Sequence, residues 1–276
     1  MDTNQLLRGY TTLVITGASS GIGKSFLEHA LKVNPELEIF NLSRSFPDIS
    51  PINGTEHKVC HIACDFSDRQ ALDLAGKRLL AELRKEVAKG RMLLVNNSGF
   101  GTYGPFPEPN PQRHLELIDV NVRAPVELTG LLLPLLKERG GDVVNIASTA
   151  AFQPTAGMAT YGASKAFLLH WSLALREELR GSGVHVLAVC PGPTHTDFFR
   201  NAGLADRILP DSMGQRAEDV VRTILEALVA RKAMAVSGWQ NKLSVFLTTK
   251  LPKVLAARLA AKVIAHFRPA PGGGSK

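Results

Sequence analysis

Thr16-Gly17-Ala18-Ser19-Ser20-Gly21-Ile22-Gly23 is the stretch that decides how the chain is read. It closes an apolar run, residues 11–16, with the character of a strand, and it opens a helical pattern over residues 22–33. Glycines let the backbone turn sharply and let an anion approach with no Cβ in the way. The first turn of the following helix offers unpaired N–H groups and the positive end of a dipole. Ser19 and Ser20 add hydroxyl donors. Strand, glycine turn and helix in this order form a candidate phosphate corner made of Gly17, Ser19, Ser20, Gly21, Ile22 and Gly23.

Outward from this corner, short β-rich runs alternate with longer helical ones. Strands are predicted at 11–16, 38–42, 58–64, 92–96, 142–147, 184–190 and 233–237, and helices near 22–33, 68–89, 112–137, 160–180 and 217–230. Alternation of this kind implies βαβ crossovers, hence a parallel sheet covered on both faces. The expected architecture is α/β: a Rossmann-like, doubly wound sheet of about seven strands. Residues 1–238 would form the nucleotide-binding domain and residues 239–276 a basic amphipathic C-terminal extension. Such sheets bind ligands at the carboxyl ends of their strands.

The charge of +7 invites comparison with nucleic-acid binders, but its distribution argues otherwise. Nine of the 32 Lys/Arg follow Glu226 and no acidic residue does; the other 23 are set against 25 Asp/Glu. The body is close to neutral, and no nucleic acid is expected as a partner. Three cysteines, Cys60, Cys64 and Cys190, make no disulfide framework and read as small core residues. Neither a signal-peptide core near the first residue nor an apolar run of spanning length is present, so a cytoplasmic location is expected. The eight histidines form no ligand cluster and no H-E-x-x-H occurs, so no metal is expected.

Further motifs follow the corner in a fixed order: Asn96-Asn97-Ser98-Gly99 after strand 4, Asn121 in the next helix, Ser148 after strand 5, Tyr161-Gly162-Ala163-Ser164-Lys165, and Pro191-Gly192 after strand 6. With the T-G-x-x-x-G-x-G corner, this set resembles the short-chain dehydrogenase/reductase family over roughly residues 11–237. Ser98 stands where the family carries Ala. The resemblance implies a nicotinamide dinucleotide cofactor and a small-molecule carbonyl/alcohol substrate. It also implies a homodimer or homotetramer built on the long helices.

Which dinucleotide is read from strand 2. NAD-specific Rossmann proteins end that strand with a carboxylate for the ribose 2′-OH. Here Ser43-Arg44 stands there, and a guanidinium suits a 2′-phosphate, so NADP(H) is the expected cofactor. By resemblance, Asp65 and Phe66 edge the adenine and Asn97, Ser98 and Gly99 line the adenosine side. Pro191, Gly192, Thr194 and Thr196 lie near the carboxamide and phosphates.

Tyr161 and Lys165 are four apart on a predicted helix and project from one face. A free phenol titrates near ~10, and a nearby ammonium is expected to lower that value. Tyr161 is thus the candidate general acid/base and Ser148 a donor to the substrate oxygen. Lys165 would also fix the nicotinamide ribose, and by resemblance Asn121 holds a water linking Lys165 to solvent.

Phe198, Phe199, Leu204, Ile208, Leu209 and Met213 would form an apolar lid, with Phe152 and Met158 as further lining. The leading function is an NADPH-dependent carbonyl reductase, and the alternative is a catalytically silent NADP(H)-sensing protein. Segment 242–267, basic and amphipathic with a break at Pro252, either packs on the body or a partner, or lies on an anionic membrane.

Overall fold

Among the described residues seven strands, all parallel, run in the order β3-β2-β1-β4-β5-β6-β7. They are β1 (Tyr10–Thr16), β2 (Glu38–Ser43), β3 (Val59–Ala63), β4 (Arg91–Asn96), β5 (Gly141–Ile146), β6 (Val184–Cys190) and β7 (Met234–Val236). This computed structural model describes residues 1–49, 59–85, 90–203 and 214–266. Lys58, residues 86–89 of the third predicted helix, the lid residues Leu204, Ile208, Leu209 and Met213, and the end of the extension beyond residue 266 lie outside the described residues.

The apolar runs become strands because both faces of the sheet are covered. Leu13 and Ile15 point to one side with α1 (Thr3–Arg8), α2 (Gly21–Val33) and α8 (Ala217–Val229). Val14 points to the other with α3 (Arg69–Lys85), α5 (Ala124–Arg139) and the end of α6 (Ala159–Glu178). Period-two alternation with both faces apolar gives continuous Val/Ile/Leu runs, and full burial of one such side chain is worth about 1.5–3 kcal/mol. The doubly wound architecture agrees with the sequence reading.

Two differences have local causes. Residues 112–137 form a helical path in three parts: α4 (Pro111–Ile118), a π-helical turn over Asp119–Arg123, and α5. Pro125 has no N–H to give to the Asn121 carbonyl four residues back, so the α-helical ladder fails there. Ala124 N–H reaches back to the Asp119 oxygen instead. Helix α1 was not foreseen; its signal is the capping box in which Asp2 and Gln5 bond each other's backbone N–H.

Strand order reverses at β1, with β2 on one side and β4 on the other, and this opens a crevice at the carboxyl ends. The opposite end is closed by Asp142 at the start of β5. Its carboxylate accepts from Tyr10 Oη (2.6 Å), Arg91 (2.7 Å) and Arg231 (3.2 Å), and His185 Nδ1 lies 3.0 Å away. The short α7 (Phe198–Asn201) follows β6, and after β7 come α9 (Trp239–Lys250) and α10 (Lys253–His266), separated at Leu251-Pro252.

Candidate active site

The corner after β1 is held from two sides. Gly17 N–H donates to the Leu42 carbonyl of β2 (2.9 Å), and Ala18 N–H to Asn41 Oδ1 (3.1 Å). From β4, the N–H groups of Asn97 and Ser98 both donate to Thr16 Oγ1 (2.9 Å each), while Asn97 Nδ2 donates to the Thr16 and Gly17 carbonyls. Gly17 sits at φ +69°, which a side chain would strain, and its absent Cβ leaves room for Ser98. A Cβ on Gly23 would run into the Gly17 carbonyl and the Asn97 amide, so Gly23 lets α2 pack under the turn. Ser20 precedes α2 without capping it, leaving the helix N-terminus open to an anion.

The corner opens onto a cleft of about 720 Å³. Of the predicted set, Gly17, Ser19, Ser20, Gly21, Ile22, Ser43, Arg44, Asp65, Phe66, Asn97, Ser98 and Gly99 line it, and so do Ser148, Tyr161, Lys165, Pro191, Gly192, Thr194 and Thr196. Gly23 and Asn121 are not on its wall; they act from behind it. Asn121 is fully buried in the π turn, accepts from Phe100 N–H (3.1 Å), and donates to the Phe100 carbonyl (2.9 Å) and Ser164 Oγ (3.1 Å).

Arg44 is exposed at the cleft's edge, where β2 ends. Ser43 is buried and its hydroxyl donates to the Ser45 carbonyl (2.8 Å), so that proton shapes the turn. Asp65 accepts from Ser67 N–H (2.9 Å) and Oγ (2.7 Å). Burial raises its pKa, but the Ser67 bonds and the charges of Arg44 and Arg113 outweigh that and leave it below its ordinary value.

Farther along the cleft, β5 ends at Ile146, and Ser148 follows in extended conformation before a 3₁₀ turn, Thr149–Phe152. Helix α6 brings up Tyr161 and Lys165, both buried. Lys165 Nζ donates to the Ile146 carbonyl (2.8 Å). Ser148 Oγ accepts from Ala150 N–H (3.1 Å) and lies on the same cleft wall as Tyr161.

The expected fall in the phenol pKa does not follow from these groups. Burial pushes Tyr161 up to about 12, with neighbouring Ser148 working against it, and burial brings Lys165 down to about 8. Desolvation penalises charge on either group and is the largest cause of both shifts. The phenol is therefore protonated at neutral pH, the form that can donate.

Around Tyr161 the wall is apolar. Leu117, Met158, Phe100, Tyr103, Ala150 and Phe198 pack with it, and the Phe198 ring lies 5.1 Å from the Tyr161 ring. Met158 lines the cleft as expected. Phe152 does not: it packs with Leu169 and Val236 on the far side of the 3₁₀ turn. Phe100 and Tyr103 were missed because the loop carrying them has no periodicity. The near neighbour Gly99 is the signal that placed it at a strand's carboxyl end.

Gly17–Gly21 also fits the G-x-S-x-G elbow of serine hydrolases. Among the described residues no histidine lines the cleft, so Ser19 has no imidazole base beside it.

The model of the short chain dehydrogenase family matches residues 11–206. Serine 3-dehydrogenase of Rhizobium radiobacter is 32% identical over 221 residues, 77% of this chain and 86% of that protein. The ketoacyl reductase HetN of Nostoc sp. is 34% identical over 186 residues, 66% of this chain and 62% of that protein. A short chain dehydrogenase from Burkholderia cenocepacia, solved in complex with NADP, superposes with a TM-score of 0.74 at 25% identity, over 94% of this chain and 99% of that one. Motif order, strand order and family match agree: the chain belongs to the short-chain dehydrogenases, a family of oxidoreductases.

Proposed function

We propose that the protein is an NADPH-dependent reductase of apolar ketones or aldehydes, with Tyr161 as the proton donor. The observation that carries this reading is that Ser148, Tyr161 and buried Lys165 meet on one cleft, with an apolar wall around Tyr161. The residues fit a dinucleotide. The Gly17 and Gly23 cradle would be filled by any Cβ, the N-terminus of α2 is uncapped, and Arg44 offers the guanidinium a 2′-phosphate requires. The NADP bound to the Burkholderia relative supports the same choice.

A bound nicotinamide supplies the hydride. The chain's own residues manage the substrate oxygen: Ser148 donates a hydrogen bond that orients it, and Tyr161, protonated at neutral pH, passes its proton as negative charge develops there. Lys165 sits close enough to stabilise the phenolate that remains, and it is held in place through the Ile146 carbonyl. Phe100, Met158 and Phe198 exclude water and favour an apolar substituent beside the carbonyl.

The relatives are named for substrates as different as serine and a ketoacyl group. Substrate class is therefore read from this wall. The test is oxidation of NADPH against a panel pairing each apolar ketone with a polar one of similar size. Turnover concentrated among the apolar members supports the proposal; NADPH binding with no turnover on any member overturns it in favour of a cofactor sensor.

A further inference from the structure

Seven of the sixteen large hydrophobic side chains exposed among the described residues fall on α9 and α10. On α9, Trp239, Leu243, Phe246 and Leu247 recur at helical spacing and are 51–72% exposed, so they share one outward face. The inward side carries Asn241, Val245 and Thr248, which are half-buried. Helix α10 repeats the division, with Ala256 and Ala260 buried and Val254, Leu255 and Leu259 exposed. Ionisable carboxylates are missing from both helices, whereas Lys242, Lys250, Lys253, Arg258 and Lys262 are all exposed.

Helix α9 also adjoins the cleft. The Asn241 side chain occupies the space a Cβ on Gly192 would need, and Gly192 lines the cleft. Lys253 Nζ donates to the Phe152 carbonyl (3.2 Å), at the end of the 3₁₀ turn that begins one residue after Ser148.

We propose that the outer faces of α9 and α10 dock on an anionic lipid surface, with the large apolar side chains below the headgroups and the cations among them. Charge selects this occupant. A second copy in two-fold contact would set a wholly basic face against itself, while anionic headgroups complement it. Lysine stems can lie along apolar surface while their ammonium groups reach the phosphates. Docking in this way sets the cleft near the membrane surface, where an apolar carbonyl compound partitions. That corollary rests on the proposed reaction; the docking itself does not.

The test therefore reads binding rather than turnover. Full-length protein carrying Trp171→Phe, which leaves Trp239 as the only indole, is mixed with phosphatidylcholine vesicles with and without phosphatidylserine. Co-sedimentation with a blue shift of Trp239 emission on the anionic vesicles is expected. Phe246→Ser/Leu247→Ser should weaken it on the order of tenfold, and Lys242→Glu or Lys250→Glu about fivefold each. All four positions are exposed, so the variants retain the fold, checked by circular dichroism. No binding to anionic vesicles overturns the proposal. So does equal binding to neutral ones, or self-association abolished by Phe246→Ser/Leu247→Ser without any vesicle binding.

Discussion

Lys165 Nζ lies 5.9 Å from the centre of the Tyr161 ring, one helical turn away, and donates its hydrogen bond to the Ile146 carbonyl of β5. The strand end and the helix thus fix the cation beside the phenol before any substrate arrives. Both groups are buried, and burial moves each toward its neutral form.

That arrangement sets a pH dependence. The pKa of Lys165 is depressed to about 8, so its charge is present below that value and lost as pH rises through it. Tyr161 keeps its proton to about 12 and adds no limb near neutrality. The kcat/KM for carbonyl reduction, which reports free-enzyme groups, should be level at neutral pH and decline above about 8. In Lys165→Arg, whose guanidinium does not titrate in this range, residual activity should lack the decline. The same decline in both proteins would contradict the assignment.

Arg44 should set cofactor choice. Replacing it with Ala removes a charge-assisted contact worth about 1.5–3 kcal/mol, which corresponds to about 10- to 150-fold in the NADPH/NADH ratio of kcat/KM. Activity with NADH should change little, since the contact exists only with the phosphate. Parallel kinetics with both cofactors check this; an unchanged ratio would remove Arg44 from the account.

Asp142 should matter for stability and not for chemistry, because it closes the end of the sheet away from the cleft. Burial raises its pKa, but hydrogen bonds from His185 and Tyr10 and the charge of Arg91 outweigh burial and hold it below the ordinary value. A depressed carboxylate stabilises the fold above its unfolded pKa near ~3.9, and that contribution is lost as pH falls through the folded value. Asp142→Ala should cost about 3 kcal/mol at neutral pH, the low end for a broken buried pair because Arg91 and Arg231 are partly exposed. The gap between wild type and variant should narrow below about pH 4. Denaturant melts across pH measure it, with kcat per folded molecule unchanged.

Much of this was legible in the sequence because it depends on local spacing. Leu13-Val14-Ile15 announces a strand buried on both faces, and the glycines of residues 17–23 announce a turn that admits phosphate. Tyr161 and Lys165 share a face by helical geometry alone. Properties that arise only on folding were hidden. The shift of Tyr161 is set by burial, which no spacing reports, and its sign was misjudged. Phe152, two residues past Ala150 on the same turn, faces away from the cleft, while Phe100 and Tyr103 arrive from a distant loop. Asn41 looked like an ordinary strand residue, yet it bridges Ala18 N–H, Ser43 Oγ and His61 and so ties the corner to β2. The π turn was encoded in Pro125, whose missing N–H matters only once the helix continues past it.

The central claim is that the Tyr161 hydroxyl, and not merely its ring, moves the proton. Phe at this position keeps the packing against Phe198 and Met158 and removes one oxygen. Tyr161→Phe should bind NADPH with unchanged affinity, read by cofactor fluorescence, while kcat for the best ketone falls by about 10²–10⁴-fold. Near-normal kcat with intact NADPH binding would contradict the account.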